Sequence, residues 1–429
     1  MNPKASFARL KEDPEYQNGV MRCIRCSICV PRCPSYRVYQ NEADSPRGRV
    51  QMLRAVMEDR LEPSSNLEHH LDRCLGCRAC EDVCPSAVPY GYLLDRARSA
   101  LQPTEHARAR KSVVRWGLTR IAATPWRVYW SAQLLRLVQA LRLDRLAAWA
   151  LRKVRPSAAL RIELAPRVRG APFRASEAEE KPGAAVQVLI GCVASGVLGD
   201  VQRATIRALE RTGAEVSVPA SQNCCGALHL HAGLMDEARE LARGNIEAFD
   251  GEAEVCVNAA GCRLAMREYP SLFDGEPTWQ ERARQLVGRL RSVTELTGAR
   301  LNGAATAPPP TRRRALVHEP CHEFNVQKER GKLEALLRQL GYEVETLPRG
   351  AGCCGSAGLF SALQPKAASD LLDRLLDDVQ GRAPELVVSS NPGCQLLIEA
   401  GLRRRGIDLP VLDISEVIDR RTGGGEAEA

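Results

Sequence analysis

The sequence lacks several features that mark common functional classes. Aromatic residues make up only 4% of its 429 residues. No apolar run reaches the length of about 20 residues that spans a membrane. The pattern G-x-x-x-x-G-K-[ST] is absent, which excludes a P-loop nucleotide site, and we expect no flavin or nicotinamide on this chain. Residues 1–20 contain no apolar stretch of the secretory type, so we expect a cytoplasmic protein.

Cysteine, by contrast, is abundant, with 17 residues. Grouped cysteines in a reducing compartment indicate metal ligands rather than disulfides. The run C-x-x-C-x-x-C-x-x-x-C-P occurs twice in the first 85 residues. Its cysteines are Cys23, Cys26, Cys29 and Cys33 in the first copy and Cys74, Cys77, Cys80 and Cys84 in the second. This spacing is typical of ferredoxins that hold two [4Fe-4S] clusters.

In that pattern the fourth cysteine of each run binds the cluster of the other run. We therefore predict one cluster on Cys23, Cys26, Cys29 and Cys84. We predict a second cluster on Cys74, Cys77, Cys80 and Cys33. The alternative is a pair of zinc sites, but these seldom place four cysteines within eleven residues ahead of a proline. The doubled spacing therefore favours electron transfer.

Positive charge accompanies the two cysteine runs. We expect it to offset the negative charge of the clusters and to raise their reduction potentials. The arginines concerned are Arg22, Arg25, Arg32, Arg47, Arg49, Arg73 and Arg78. Two of them belong to a predicted turn at residues 45–49, ahead of a predicted helix at 49–61.

From residue 184 the sequence repeats itself at an offset of 129 to 132 residues. Each copy has one cysteine, a Cys-Cys-Gly 32 positions later and a final Gly-Cys. The cysteines are Cys192, Cys224, Cys225 and Cys262 in one copy and Cys321, Cys353, Cys354 and Cys394 in the other. Matching offsets indicate that at least one copy binds a further cluster or performs redox chemistry. The alternative is inert core cysteines, which is our interpretation of the unmatched Cys256.

Short apolar runs alternate with helical patterns of ten to fifteen residues in both copies. This alternation predicts βαβ units, a mainly parallel sheet, and cysteines at the carboxyl ends of strands. The glycine of each Cys-Cys-Gly lets the backbone approach closely, and a following helix is expected to lower the thiol pKa.

The predicted fold is multidomain, α and α/β. A helical ferredoxin-like domain with two clusters precedes a duplicated α/β Cys-Cys-Gly domain. The predicted segments are the ferredoxin-like domain (1–105), a basic tryptophan-rich helical segment with a linker (106–183), two Cys-Cys-Gly domains (184–304 and 305–421) and a disordered tail (422–429).

The basic segment is unusual in composition. Residues 108–155 contain twelve arginines or lysines, a single acid, and four of the five tryptophans. Apolar residues recur there at helical spacing, which suits an anionic membrane surface or an acidic partner. The alternative is an interdomain helical hairpin whose tryptophans pack inward. No recognition motif for nucleic acid accompanies the charge, so we expect no nucleic-acid partner.

One motif is misleading. Residues 318–322 read H-E-P-C-H and so match the zinc protease pattern H-E-x-x-H. That site needs both histidines on one face of a helix, and Pro320 interrupts the turn. We therefore reject a zinc protease. For His229 and His231 we expect hydrogen bonds to cluster sulfurs or simple packing.

The combination of two four-iron runs with two Cys-Cys-Gly domains resembles the iron–sulfur subunits of bacterial glycolate oxidase (glycolate dehydrogenase). Five further stretches resemble that family: residues 46–49, 70–74, 84–90, 224–229 and 353–358, together with Asn391-Pro392-Gly393-Cys394. The resemblance implies an electron-transfer subunit with two [4Fe-4S] clusters and one or two more at the Cys-Cys-Gly domains. FAD-containing partner subunits would oxidise glycolate, and this chain would pass the electrons towards the membrane quinone pool.

Related subunits share this layout, in lactate-utilisation complexes, anaerobic glycerol-3-phosphate dehydrogenase and heterodisulfide reductase. The last family binds an unusual cluster through a C-x-x-C at the end of each Cys-Cys-Gly domain. Here Ala259 and Asn391 occupy the first position of that motif, which makes disulfide reduction less favoured. Two alternatives from other classes are a self-contained disulfide or quinone reductase and a structural metal module or redox sensor.

Overall fold

The computed structural model describes residues 3–101, 114–301, 310–348 and 352–423. Within these residues a helical N-terminal part precedes two similar α/β units. The helices of the N-terminal part are α1 (Pro3–Glu12), α2 (Pro14–Met21), α3 (Pro34–Tyr39), α4 (Pro46–Met57), α5 (Ser65–Asp72), α6 (Ala79–Asp82) and α7 (Tyr90–Leu101). The predicted fold class is confirmed. The segment boundaries stay predictions, and residues 424–429 of the predicted tail lie outside the described residues.

A single apolar core organises the helical part. Side chains of α1, α2, α4, α5 and α7, such as Tyr16 and Leu53, are buried in it. Asp13 starts α2 by accepting hydrogen bonds from the backbone N–H groups of Glu15 and Tyr16, and Pro14 occupies the first helical position. Cysteines of both runs pack against this core, so burial of apolar residues holds the two cysteine loops side by side.

The predicted turn at residues 45–49 is wrong, because this stretch forms the first turn of α4. The Ser45 hydroxyl accepts a hydrogen bond from the Gly48 N–H at 2.9 Å, and Pro46 occupies the first helical position. A side chain at Gly48 would place its Cβ 2.0 Å from the Glu42 carbonyl oxygen. Glycine therefore allows α4 to begin this close to the preceding loop.

Each α/β unit contains a four-stranded sheet in which every pairing is parallel. The strand order is β2-β1-β3-β4 in the first unit and β6-β5-β7-β8 in the second. The strands are β1 (Val186–Leu189), β2 (Val216–Ser217), β3 (Glu254–Val257), β4 (Leu290–Arg291), β5 (Arg314–His318), β6 (Glu343–Thr346), β7 (Leu386–Ser389) and β8 (Val411–Asp413). The identical order confirms the duplication, and the pairing confirms the predicted parallel sheets.

The fourth strand of each sheet was not predicted. β4 has two residues and β8 has three, so neither run shows a periodicity of its own. Only the hydrogen-bonded pairing of the strands identifies β4 and β8. Val255 lies opposite Leu290, and Val387 lies opposite Val411. Both strands extend the sheet beside the strand that precedes the final Gly-Cys.

Helices connect the strands and cover both faces of each sheet. Those of the first unit are α11 (Cys192–Val197), α12 (Gly199–Arg211), α13 (Ala227–His231), α14 (Met235–Ala248), α15 (Ala260–Arg267), α16 (Pro277–Arg289) and α17 (Val293–Leu301). Those of the second are α18 (Lys332–Gln339), α19 (Phe360–Leu363), α20 (Pro365–Arg382), α21 (Pro392–Arg405) and α22 (Ile414–Thr422). α8 (Pro125–Ala140), α9 (Leu143–Leu151) and α10 (Pro156–Glu163) lie between the helical part and the first unit.

The tryptophans of the basic segment do not pack inward, so that alternative is wrong. Trp126 and Trp130 on α8 are each 59% exposed, and Trp149 on α9 is 71% exposed. Residues 106–113 of the predicted segment lie outside the described residues. Among the helices that the structure describes, none has the length and apolar composition of a bilayer span.

A buried ion-pair network joins the two α/β units. Arg263 of α15 is fully buried and binds Glu329 of the second unit, with an Nη1–Oε1 distance of 2.6 Å. Glu295 and Glu323 also contact its guanidinium group, at 3.1 and 3.5 Å. Burial is costly for each charge alone, so the arginine and its carboxylates depend on one another.

Replacing Arg263 by methionine should therefore destabilise the protein. The change leaves the Glu329 carboxylate buried without its partner, and we expect the free energy of unfolding to fall by about 3–5 kcal/mol. Urea denaturation followed by circular dichroism measures this change. The control is Arg284→Met, which removes an exposed pair with Glu281 and should cost at most about 1 kcal/mol. Equal losses in the two variants would contradict a structural role for the buried network.

Candidate metal centres

The four cysteines of the first predicted cluster line one cavity of about 40 Å³. Three of them, Cys23, Cys26 and Cys29, belong to the first run. The fourth, Cys84, comes from the second run, as the crosswise pattern predicts, and Cys80 borders the same cavity. The fold thus brings the four predicted ligands to the wall of one cavity, and Cys26 among them is exposed to solvent.

The cysteines of the second predicted cluster lie deeper. Burial raises the pKa of the Cys80 thiol, and the nearby acidic groups Cys74, Glu81 and Cys33 raise it further. Cys33 also caps the start of α3, where its sulfur accepts the Tyr36 N–H at 3.5 Å. Cys33 thus lies near Cys80 of the second run, and its assignment as a ligand of the second cluster stays a prediction.

The backbone of the two runs is curved in the same way. Arg25 and Ser27 have φ angles of 62° and 70°, and at the matching positions of the second run Gly76 and Arg78 have 66° and 55°. Residues other than glycine rarely adopt this left-handed region. Its recurrence turns backbone N–H groups inward, and the Gly76 N–H lies 3.4 Å from the Cys74 sulfur. Such concave loops hold anionic groups, so loops and thiols fit a [4Fe-4S] cluster at each site.

The arginines near the clusters fall into two groups. Carboxylates already pair with four of them: Arg47 with Glu42, Arg49 and Arg73 with Asp44, and Arg78 with Glu268 and Glu81. No ion pair of the described residues involves Arg22, Arg25 or Arg32. Arg49 still interacts with the thiols of Cys74 and Cys33, and Arg47 with that of Cys29. Both groups of arginines can therefore contribute to the expected increase in reduction potential.

The eight cysteines of the two α/β units line a single cavity of about 280 Å³, which we call the cysteine chamber. They are Cys192, Cys224, Cys225 and Cys262 from the first unit and Cys321, Cys353, Cys354 and Cys394 from the second. Cys77 of the ferredoxin-like part also reaches the chamber wall. The repeats therefore face each other across one site, an arrangement that the sequence did not predict.

The thiols of the first unit form a continuous row. The sulfurs of Cys192 and Cys224 are 3.2 Å apart, Cys225 contacts Cys224, and Cys262 contacts Cys225. Cys256 does not take part, since it is fully buried within β3 and packs into the core below the sheet, as predicted. Soft thiolate ligands in a largely apolar cavity suit an iron–sulfur cluster.

The Cys-Cys-Gly turns require glycine for a conformational reason. Gly226 and Gly355 have φ angles of 79° and 81°, which side chains disfavour. At Gly355 a Cβ would also lie 2.7 Å from the Ala368 carbonyl oxygen. The glycine thus turns the chain sharply after the paired thiols and lets it pass close to α20.

The expected lowering of the thiol pKa by the following helix is wrong. A hydrogen bond with the Cys224 thiol lowers the pKa of Cys225, but a hydrogen bond with the Cys262 thiol and burial together raise it well above its usual value. Burial likewise raises the pKa of Cys353 to about 12. Desolvation outweighs the helix dipole here because the chamber wall excludes water from the sulfur atoms. These thiols become strong ligands only when a cation replaces the proton.

The second unit offers a different set of ligand atoms. His318, Cys354 and Cys394 have ligand atoms that all lie within 4.8 Å of one another. His318 occupies the position of Leu189 in the first unit, and Asn391 donates a hydrogen bond to the Cys394 sulfur at 3.2 Å. Sequence reasoning missed both roles. The one sequence feature that pointed to Asn391 was its place at the first position of C-x-x-C, where heterodisulfide reductase has a cysteine.

The histidines of H-E-x-x-H serve different partners. His318 ends β5 and its ring contacts the Gly352 carbonyl oxygen at 2.9 Å, whereas His322 contacts the Gly76 carbonyl oxygen at 3.1 Å. The rejection of a zinc protease is consistent with this geometry. His231 lines the chamber, whereas His229 is buried outside its lining, so packing is the role left to His229.

Two hydrogen bonds connect the ferredoxin-like part to the chamber. The His322 Nε2 group lies 3.1 Å from the Gly76 carbonyl oxygen, and the Asn325 amide donates to the Cys77 carbonyl oxygen at 2.9 Å. Burial lowers the pKa of His322 to about 4, so the ring is neutral and Nε2 can donate its proton. Cys77, a ligand of the second predicted cluster, follows Gly76, and the chamber cysteine Cys321 precedes His322. The hydrogen bond between His322 and Gly76 therefore connects the two cysteines through neighbouring residues.

The pattern G-x-G-x-x-G occurs once in the chain, at residues 350–355. This match does not indicate a nucleotide-binding site. The last glycine of the match belongs to the Cys-Cys-Gly turn, and the next described helix, α19, has four residues and begins at Phe360. A dinucleotide site needs a longer helix that starts at this motif.

Comparison with known families agrees with this site. Residues 19–88 match the family described as 4Fe-4S dicluster domain. Residues 186–267 and 315–399 each match the family described as Cysteine-rich domain. The fold and the site therefore define an iron–sulfur protein with a dicluster domain and two cysteine-rich domains.

Similar proteins narrow the class. The chain is 30% identical to the probable glycolate oxidase iron-sulfur subunit of Bacillus subtilis (strain 168) over 415 residues, which cover 91% of each chain. It is 29% identical to the glycolate oxidase iron-sulfur subunit of Escherichia coli (strain K12), over 87% of this chain and 88% of that relative. Lactate utilization protein A of Oceanobacillus iheyensis is 30% identical over 56% of this chain. The chain belongs to the family of glycolate oxidase iron-sulfur subunits.

The ligand assignments stay predictions, and removing single cysteines tests them. Cys26→Ala should lower the iron content by about four atoms per chain, because it removes one ligand of the exposed cluster. The matched control is Cys256→Ala, which should leave iron content unchanged because Cys256 faces neither cavity. Iron and acid-labile sulfide on anaerobically purified protein measure both. Equal iron content in Cys26→Ala and the unaltered protein would contradict the assignment.

Proposed function

We propose that this chain is the electron-transfer subunit of a glycolate (2-hydroxy acid) dehydrogenase. FAD-containing partner subunits oxidise glycolate, and the chain relays the electrons towards the quinone pool. One observation carries the proposal: the second cysteine run reaches both sites, since Cys80 borders the cavity of the exposed Cys26 and Cys77 lines the cysteine chamber. When bound, the clusters supply one-electron carriers along this line.

The first cysteine run is the proposed contact with the FAD-containing subunit. Its loops carry large apolar side chains in solvent: Met21, Ile24 and Ile28 are 52%, 67% and 50% exposed. Arg22 and Arg25, two of the arginines without carboxylate partners, lie next to Met21 and Ile24 in the sequence. An apolar centre with a charged rim is the usual anatomy of a protein interface, and the charge favours an acidic partner.

The chamber is the proposed site where electrons leave. Its eight thiols and His318 have the capacity to hold one or two clusters beyond the two of the ferredoxin-like part. The residues of the chain position these sites: His322 and Asn325 hold the Cys77 loop against the chamber, and Arg263 holds the two units together. Proximity of successive sites is what a relay requires.

The substrate of the complex lies with the partner subunits. Glycolate is favoured because the relatives that cover most of the chain are glycolate oxidase subunits. The similarity to Lactate utilization protein A supports lactate as the second candidate. Glycerol-3-phosphate dehydrogenase and heterodisulfide reductase share the layout, but Ala259 and Asn391 speak against the cluster of the latter. We place the complex in the cytoplasm, attached to the inner face of the cell membrane.

The relay predicts a separation of two activities in Cys77→Ser. With the partner subunits present, reduction of quinone by glycolate should fall by roughly tenfold or more, since the path is interrupted between two sites. Reduction of an artificial dye directly at the flavin should persist. Cys256→Ala is the control and should keep both activities. If dye and quinone activities fell together in Cys77→Ser, the relay role would be wrong.

The proposed contact surface makes a further prediction. Ile24→Glu places a charge at its apolar centre and should weaken capture of the FAD-containing subunits by about tenfold. The control Leu61→Glu alters an exposed apolar residue outside this surface. Affinity is measured by co-purification or interferometry, with iron content recorded for each variant. Unchanged affinity in Ile24→Glu would show that the FAD-containing subunits bind elsewhere on the chain.

A further inference from the structure

An unpartnered apolar ridge runs along α8 and α9. Five residues of the ridge belong to α8 or directly follow it. They recur at intervals of four, four, three and four positions, which places them on one face of the helix. They are Trp126, Trp130, Leu134, Leu137 and Leu141, each between 56% and 64% exposed. Leu143, Leu146, Trp149 and Val154 continue the ridge. We call these nine residues the apolar ridge.

The ridge is held rigidly on the molecule by its opposite face. Ala132 is buried, and Val128 lies so close to α11 that a Cβ at Gly196 would be 2.9 Å from its side chain. The Gln139 side chain binds the Pro166 carbonyl oxygen at 2.7 Å and the Val168 N–H at 3.0 Å. One face of α8 is thus packed, and the apolar exposure of the other face is a property of the folded chain.

The concentration of exposed apolar side chains is specific to this region. Fifteen large hydrophobic residues are exposed in the described part of the chain, and ten of them lie between residues 116 and 154. Scattered single exposures are ordinary on protein surfaces, whereas a contiguous patch marks a contact site. The ridge therefore has the character of a contact site.

Positive charge surrounds the ridge. The cationic residues are Arg120, Arg127, Arg136, Arg142, Arg145, Arg152, Lys153 and Arg155, against the single acid Asp144. Within the described residues only Arg152 of this set pairs with a carboxylate, that of Glu163 at 2.7 Å. The unpaired cations complement a surface of high negative charge density.

We propose that the apolar ridge inserts into the surface of an anionic lipid bilayer. Tryptophan and leucine on one face with arginine beside them are the composition of helices that lie in the headgroup region. α8 packs on α11, whose first residue is Cys192, so the contact brings the cysteine chamber to the membrane. The functional role of this contact depends on the proposed electron transfer to quinone. The lipid binding itself does not depend on that proposal.

Flotation of the full-length chain with lipid vesicles tests the proposal. The chain should float with phosphatidylcholine vesicles that contain phosphatidylglycerol and should stay below with pure phosphatidylcholine. Arg136→Gln and Arg145→Gln should each weaken binding by about fivefold, because each removes one cation from the anionic surface. Trp130→Glu combined with Leu137→Glu should weaken it by about tenfold or more. Leu61→Glu is the control for the apolar change, and Arg284→Gln is the control for the charge.

Three outcomes would overturn the proposal. One is the absence of flotation with anionic vesicles, and another is equal binding by the ridge variant and Leu61→Glu. The third is loss of capture of the FAD-containing subunits by the ridge variant with unchanged flotation, which would assign the ridge to a protein. Circular dichroism and iron content confirm that the variants are folded. Reduction of a water-soluble quinone is measured alongside, so that a failed relay and a failed lipid contact give different results.

Discussion

The contact between the Cys77 loop and the second α/β unit is the interaction on which the rest of the arrangement depends. His322 and Asn325 bind consecutive carbonyl oxygens of that loop, and Cys321 lies next to His322. Electron transfer slows steeply with distance, so two groups of cysteines become one path only if they are held close together. The ion pairs of Asp82 with Lys328 and Arg330 support this contact and hold the ferredoxin-like part against the second unit.

The duplicated units are alike in topology and different at their sites. Both sheets have the same strand order and both Cys-Cys-Gly glycines have left-handed backbones. The first unit places its thiols in a row, whereas the second adds His318 and Asn391 around Cys394. Leu189 and Ala259 occupy the matching positions of the first unit and offer no ligand atom. The two halves of the chamber therefore offer different surroundings to a bound metal group.

Much of the fold and of the candidate site could be predicted from the sequence, because the spacing of the cysteines indicates both. The offset between Cys192 and Cys321 predicts a duplication, which the identical strand order confirms. The two runs ending in Cys33 and Cys84 predict crosswise ligand sets, which stay a prediction. The shared chamber could not be predicted, because it depends on how two domains pack. The exposure of Trp130 likewise depends on which face of α8 finds a partner. The thiol pKa of Cys225 was misjudged because a helix terminus is visible in the sequence and desolvation is not.

The most direct test of the account is the iron and acid-labile sulfide content of the anaerobically purified chain, with zinc measured in the same sample. A path that runs from the exposed Cys26 into the cysteine chamber predicts about twelve to sixteen irons per chain, with sulfide in equal amount. About eight irons would leave the chamber without clusters and contradict a relay that ends there. Zinc in place of iron would contradict electron transfer altogether.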